Sequence, residues 1–241
     1  MEQLPRLYTE LAGWWNLLSP PSEYAEEAED LLSMLLPAVD APPRTLLELG
    51  CGGGSLAFHL KGRLKLTLTD LSPQMLPVCR ANNPECEHIV GDMRSLELGR
   101  EFDLVLIHDA IMYAADPASV RAAIRTAFRH LRAGGAAAIL PDCVKETFKP
   151  QTSTGGKDGP DGRGLRYLEW IWDPCPTDDT FEAAYAFLLR ERDGTVRVAS
   201  DRHRLGLFSR AAWLHWLAEM GFSAASRLDP WGRDVFIARK L

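Results

Sequence analysis

Leu46-Leu47-Glu48-Leu49-Gly50-Cys51-Gly52-Gly53-Gly54-Ser55 decides how this chain is read. It starts as a β-compatible apolar run, passes through four glycines and enters Leu56-Ala57-Phe58-His59-Leu60, which reads as a helix. A strand, a glycine turn and a helix in that order open a nucleotide-binding α/β unit. Glycine suits the turn because a side chain would keep the backbone away from a ligand. The free N–H groups at the helix start then face that ligand.

The next signals lie outward from the turn. Leu66-Thr67-Leu68-Thr69-Asp70 reads as a second strand ending on a carboxylate, 20 residues after Gly50. A carboxylate there can accept both hydroxyl protons of a ribose. Ser72, before Pro73, is the expected helix cap, which leaves Asp70 for the ligand. Strands are expected at 44–49, 64–70, 87–90, 103–108 and 136–141, with helices at about 54–62, 73–82 and 117–131. Pro73 and Pro117 fall at first-turn positions, and Gly134-Gly135 is expected to end the last helix. Alternating strands and helices imply a parallel sheet with helices on both faces.

Glu48-x-Gly50-x-Gly52-x-Gly54, Asp70, Gly91-Asp92-Met93 and Phe102 to Asp109 together resemble the successive motifs of class I S-adenosylmethionine (SAM)-dependent methyltransferases. The resemblance implies a Rossmann-like α/β fold: a mostly parallel seven-stranded sheet with a small antiparallel sheet inserted after the fifth strand. It implies SAM as cofactor, S-adenosylhomocysteine as product, and contacts from Glu48, Gly50, Cys51, Gly52, Gly54, Asp70 and Leu71. Asp92 would accept from the adenine amino group, Met93 would lie against the ring, and His108 would back the amino-acid part. Trp14, Trp15 and Tyr24, from a segment that often lies over the cofactor in that family, could shield the sulfonium through cation–π contact.

The chain divides into four expected parts: a helical cap over 1–40, a SAM-binding core over 41–143, an antiparallel substrate cover over 144–206, and a helix with two antiparallel strands over 207–241. Ser22 can cap the second cap helix. The stretch from Gln151 to Gly164 reads as a polar, glycine-rich loop. Asp193-Gly194 reads as a two-residue hairpin turn, which would pair Arg192 with Thr195 and Ala184 with His203. That register makes a three-stranded cover with Glu182, Asp201 and His203 on one face and Phe181, Tyr185, Phe187, Val196 and Val198 on the other. Strand four ends in His108-Asp109, where parallel strands open onto the ligand crevice. Asp109, Tyr113 and His203 are therefore the candidate catalytic groups, with Glu182 beside them. Arg202 to Arg210 and the helix after it are similar to a stretch of aminosugar N-methyltransferases, which dimethylate nucleotide-linked sugars.

Composition narrows the partners. The 241 residues carry 27 basic and 33 acidic side chains, net −6, which argues against nucleic acid or an anionic membrane. No apolar run approaches the roughly 20 residues that span a bilayer. Five scattered cysteines without a C-x-x-C pair suit a cytoplasmic protein with no metal site. A small-molecule acceptor, methylated at an amine nitrogen by a monomer or homodimer, is the expected activity. The alternatives are O- or C-transfer on the same scaffold and a non-catalytic SAM-binding module. A NAD-type oxidoreductase is disfavoured by Ser55 and by Gly91-Asp92-Met93.

Overall fold

A computed structural model describes residues 4–241. Its larger sheet has the order β10-β11-β5-β4-β1-β2-β3. The strands are β1 (Thr45–Leu49), β2 (Lys65–Asp70), β3 (Glu87–Val90), β4 (Phe102–Ile107), β5 (Leu131–Ile139), β10 (Phe222–Leu228) and β11 (Asp234–Lys240). The first five run parallel, and β10 and β11 add antiparallel. This is the expected fold class.

Strand alternation sorts the core into two layers. Leu46, Leu104 and Leu106 face Leu31, Leu35, Leu60 and Leu76, from helices α2 (Ala25–Leu35), α3 (Ala57–Leu60) and α4 (Met75–Asn82). Leu47, Leu49, Val105 and Ile107 face the other way, onto α5 (Pro117–His130) and α6 (Arg210–Glu219) through Val120, Ile124, Trp213 and Leu217. Each such side chain contributes about 1.5–3 kcal/mol on burial. The order of crossovers puts the strand ends 49–54, 70–72, 107–113 and 140–142 on one edge. Asp116 caps α5 by accepting from Ser119 N–H, and Ser209 caps α6 by accepting from Ala212 N–H.

Several local expectations are corrected. The helix expected over 54–62 is only Ala57–Leu60. Helix α4 starts at Met75, past Pro73, but Ser72 Oγ still accepts from Met75 N–H at 3.2 Å. Helix α2 has Tyr24, not Ser22, at its N-cap, without a side-chain bond. Helix α5 stops at His130, and Gly134-Gly135 lies inside β5. There Gly134 takes φ +73°, and a Cβ on Gly135 would stand 2.8 Å from the Asp103 carbonyl oxygen. The glycines permit a strand irregularity rather than a helix end.

A second, antiparallel sheet has the order β6-β7-β8-β9. Its strands are β6 (Gln151–Gly155), β7 (Gly164–Trp172), β8 (Thr180–Arg190) and β9 (Val196–Gly206). It has four strands rather than three, because Gln151–Gly155 pairs with β7. An edge strand tolerates this polar sequence, since only one side needs a partner. The β8–β9 register also differs from the expected one: Ala183, not Ala184, faces His203. The connection is a five-residue loop, Glu191 to Thr195, closed by Glu191 N–H to Thr195 O at 2.8 Å. A slip of one residue turns every β9 side chain over. Asp201 and His203 therefore share the inner face with Phe181, Tyr185 and Phe187, Glu182 faces outward to Arg202, and Val196 and Val198 are exposed.

Residues 5–18 form a strap between the two sheets, built of short turns at Arg6–Tyr8 and Ala12–Trp14 and helix α1 (Trp15–Leu18). Leu7, Leu11, Trp14 and Leu17 pack on Leu165, Phe187, Leu189 and Ala199 of the second sheet. Leu7 N–H donates to Asp201 Oδ2 at 2.7 Å, and Ser72 Oγ donates to the Tyr8 carbonyl. The strap thus ties the end of β2 to the inner face of β9.

Candidate active site

The glycine turn is a tight elbow. Gly50 and Cys51 N–H both donate to Thr69 O at 2.8 Å, and Gly54 N–H donates to Cys51 O at 2.8 Å. Gly50, Gly52 and Gly54 take φ of +78°, +52° and +70°, a region side chains resist. A Cβ on Gly50 would stand 2.3 Å from Ala110 Cβ, so the elbow is pressed against the segment that follows β4. Cys51 is buried, its sulfur 3.7 Å from that of Cys79.

Asp70 is oriented rather than left free. Its Oδ2 accepts from Gly52 N–H and its Oδ1 from Ser72 N–H, each at 2.8 Å. Burial raises its pKa, and the two N–H bonds oppose that rise. Each oxygen keeps lone-pair capacity for a ribose hydroxyl. Beside it, Leu71 is exposed at the lip. Trp15 lies directly on the elbow: a Cβ on Gly53 would stand 2.1 Å from its Cδ1. Trp14 sits elsewhere, buried in the strap core beneath the guanidinium groups of Arg163 and Arg197.

Glu48 is buried, and its Oε2 has no hydrogen-bond partner. Burial pushes its carboxyl up to about 7, against the pull of His108. His108 lies between two acids, with Nε2 2.7 Å from Glu27 and Nδ1 3.3 Å from Asp109. Burial alone would lower its pKa; Asp109 and Glu27 outweigh that and raise it to about 9. Glu27 also binds Arg233. Burial would raise the Glu27 carboxyl, but His108 and Arg233 hold it down at about 2. Tyr24 bonds Ser19 at 2.7 Å and stands edge-on to His108, ring centres 6.3 Å apart.

Asp142 is a site residue the sequence reading missed. It follows β5 and sits within hydrogen-bonding reach of Asp109, which follows β4. Burial, then the Asp109 charge, drives its pKa well up. Around it stand Tyr8, Tyr24, Tyr113 and Tyr185, whose phenols are all raised chiefly by burial. All five residues keep accessible surface although they lie deep in the fold. Accessible surface at that depth is the wall of a recess. One of its sides is a hydrogen-bonded series: Tyr113 Oη lies 2.9 Å from Tyr8 Oη and 2.8 Å from His203 Nδ1. His203 Nε2 is 3.0 Å from Asp201 Oδ2.

Asp109, Tyr113 and His203 are thus brought to one recess with Glu48, His108 and Tyr24 close by. Asp92 and Met93 stand at the end of β3 with different local partners. The Asp92 carboxylate is bound by Arg94 at 2.7–3.1 Å, and Met93 packs against the α5 layer. Glu182 is outside the recess. The strand-end position of Asp142 was a usable signal; Tyr8, Glu27, Asp201 and Arg233 carried none in their local sequence. Among the described residues no cluster is arranged to hold a metal ion, and no helix is long and apolar enough to cross a membrane.

The elbow, Asp70 and the unpartnered Glu48 oxygen suit an adenosine carrying a charged amino-acid tail. Residues 46–135 match a family profile described as a methyltransferase domain. The chain is 27% identical, over 89% of its length and 90% of the relative's, to a dTDP-3-amino-3,4,6-trideoxy-α-D-glucopyranose N,N-dimethyltransferase of Streptomyces venezuelae. It is 26% identical, over 89% and 84%, to a dTDP-3-amino-3,6-dideoxy-α-D-glucopyranose N,N-dimethyltransferase of Streptomyces fradiae. The solved structure of DesVI from Streptomyces venezuelae superposes with a TM-score of 0.83 at 24% identity, covering 93% of this chain and 94% of that one. The sugar N-methyltransferase KedS8 from a Streptoalloteichus species gives 0.80 at 25%, covering 100% and 96%. Residues 46–135 thus match a methyltransferase domain, and the whole fold is similar to that of class I SAM-dependent methyltransferases.

Proposed function

We propose that the chain methylates the amine nitrogen of a small molecule, with a nucleotide-linked aminosugar as the first acceptor to test. The observation that carries this reading is the Asp109–Asp142 pair set among four tyrosines at the ends of β4 and β5. Two neighbouring carboxyl groups suit an ammonium group, which can donate to both. The tyrosine faces add cation–π attraction of about 0.5–2 kcal/mol each. The relatives named as aminosugar N,N-dimethyltransferases support the same acceptor class.

When bound, SAM supplies an electrophilic methyl group on its sulfonium. The protein's own task is placement. The close-approaching elbow backbone and Asp70 would hold the adenosine, and Glu48 and His108 would face the amino-acid tail. The Asp109–Asp142 pair would set the acceptor nitrogen. Orientation of this kind supplies about 7–11 kcal/mol of a barrier. In this reading residues 41–143 hold the cofactor, 1–40 cap it, 144–206 cover the acceptor and 207–241 complete the core.

The test is incubation with SAM and dTDP-3-amino-3,4,6-trideoxyglucose, against the same nucleotide sugar bearing a hydroxyl at that carbon. Mass spectrometry should show one or two methyl groups added to the amine alone. Methylation of the hydroxyl compound at an equal rate would refute the amine assignment.

A further inference from the structure

We infer that Tyr8, Tyr113 and His203 form a proton wire that takes the acceptor's ammonium proton, with Asp201 as the positioning residue that holds His203 ready to receive it. The inference rests on the amine reading above and adds the route by which that amine becomes a nucleophile.

An alkylammonium keeps its proton at neutral pH, as the reference lysine value of about 10.4 shows, and a protonated nitrogen has no lone pair to attack with. The three links of 2.9, 2.8 and 3.0 Å are hydrogen-bond lengths throughout. Their direction depends on the charge of His203. With a neutral imidazole, Nε2–H donates to Asp201, so Nδ1 accepts from Tyr113, and Tyr113 accepts from Tyr8. With an imidazolium, Nδ1–H donates to Tyr113, and Tyr113 donates to Tyr8, while the Asp201 bond is unchanged. Passage of one proton reverses the first two bonds and leaves every heavy atom in place.

The step balances. The ammonium N–H proton moves to Tyr8 Oη, Tyr8 gives its own proton to Tyr113, and Tyr113 gives its own to His203 Nδ1. The nitrogen is left neutral with its lone pair, both phenols are restored, and the positive charge rests on the imidazolium beside Asp201. After product departure the proton returns through Tyr113 and Tyr8 to water, which resets His203.

Asp201 is fixed for this work. Its Oδ2 also accepts from Leu7 N–H at 2.7 Å and its Oδ1 from Arg202 N–H at 3.0 Å. Both bonds favour the ionised carboxylate, which selects the Nε2–H tautomer. The groups facing His203 are Asp201 on its own strand, Tyr185 on β8, and Tyr8 and Tyr113 from the strap and the post-β4 turn. Behind them stand Glu169, bonded to Tyr185, and Asp142. Tyr8 is the entry, because its ring lies between Trp15 on the elbow and Tyr113, centroids 5.6 and 5.4 Å away.

The direct readout is nitrogen NMR of His203 in the protein with S-adenosylhomocysteine, titrated with dTDP-3-amino-3,4,6-trideoxyglucose near neutral pH. The expected result is that Nδ1 moves from an unprotonated to a protonated resonance on amine binding, and that Tyr113→Phe and Asp201→Asn abolish the move. In turnover, Tyr113→Phe should lower kcat by about 100-fold near neutral pH. That loss should shrink as pH rises toward the titration of the amine itself. A structural role would lower kcat by one factor at every pH and leave the resonance shift intact, and either result overturns the wire. Amine turnover by wild type with no Nδ1 change would refute the wire alone; absence of any amine turnover by wild type would sink the amine reading with it.

Discussion

The two walls of the recess grip by different means. The elbow wall presents backbone bent by three glycines at positive φ, with one carboxylate, Asp70, clamped by the Gly52 and Ser72 N–H groups. The facing wall, or cover wall, presents side chains: four phenols, the His203 imidazole and the Asp109–Asp142 pair. Backbone geometry tolerates almost no added atoms, whereas side chains can be exchanged one at a time. In the proposed reading the elbow fixes a constant cofactor, and the cover wall is where acceptor choice can change.

The sharpest way to break this contrast is Gly50→Val. The substitution puts a branched side chain at φ +78° and into Ala110. It should destabilise the fold by about 1–3 kcal/mol and remove measurable SAM binding. A variant that melts normally and binds SAM in a calorimeter would end the backbone account. Next in size, Asp70→Ala removes the carboxylate but not the elbow, so SAM affinity should fall about 10- to 100-fold while the fold persists.

The cluster between the walls gives a pH signature. His108, held up at about 9, contributes stability that is fully present below its unfolded value near 6.5 and is lost as pH rises through 9. Glu27, held at about 2, contributes stability present above about 4.5 and lost as pH falls through 2. Wild type minus His108→Gln, followed by melting, should therefore lose on the order of 3 kcal/mol between neutral pH and about 10. A flat difference would mean the imidazole is neutral in the folded protein. Smallest of all, Arg129→Ala opens an exposed pair with Glu97 far from both walls and should shift stability by less than about 0.5 kcal/mol.

The contrast also explains what could be read in advance. The elbow, Asp70 and the parallel strands are local: glycine placement, strand ends and crossovers are written in consecutive residues. The two antiparallel strands expected within 207–241 are Phe222–Leu228 and Asp234–Lys240. The cover wall is assembled across long separations, such as Tyr8 with Tyr113 and Glu27 with Arg233. Glu27 is a buried ion-pair partner of His108 and Arg233, which lie far from it in sequence. His203 was a candidate, but the wrong loop length put it on a face without the aromatics that surround it. Nothing in Asp193-Gly194 alone distinguishes a two-residue turn from the glycine end of a five-residue one.

The most direct test of the two-walled site is calorimetry of wild type and Asp142→Asn, each titrated with SAM and, in the presence of S-adenosylhomocysteine, with dTDP-3-amino-3,4,6-trideoxyglucose. Asp142→Asn should bind SAM as wild type does and bind the aminosugar about 10-fold or more weakly, since a hydrogen bond to a charged group is worth about 1.5–3 kcal/mol. Unchanged aminosugar binding, or an equal loss for both ligands, would contradict the account.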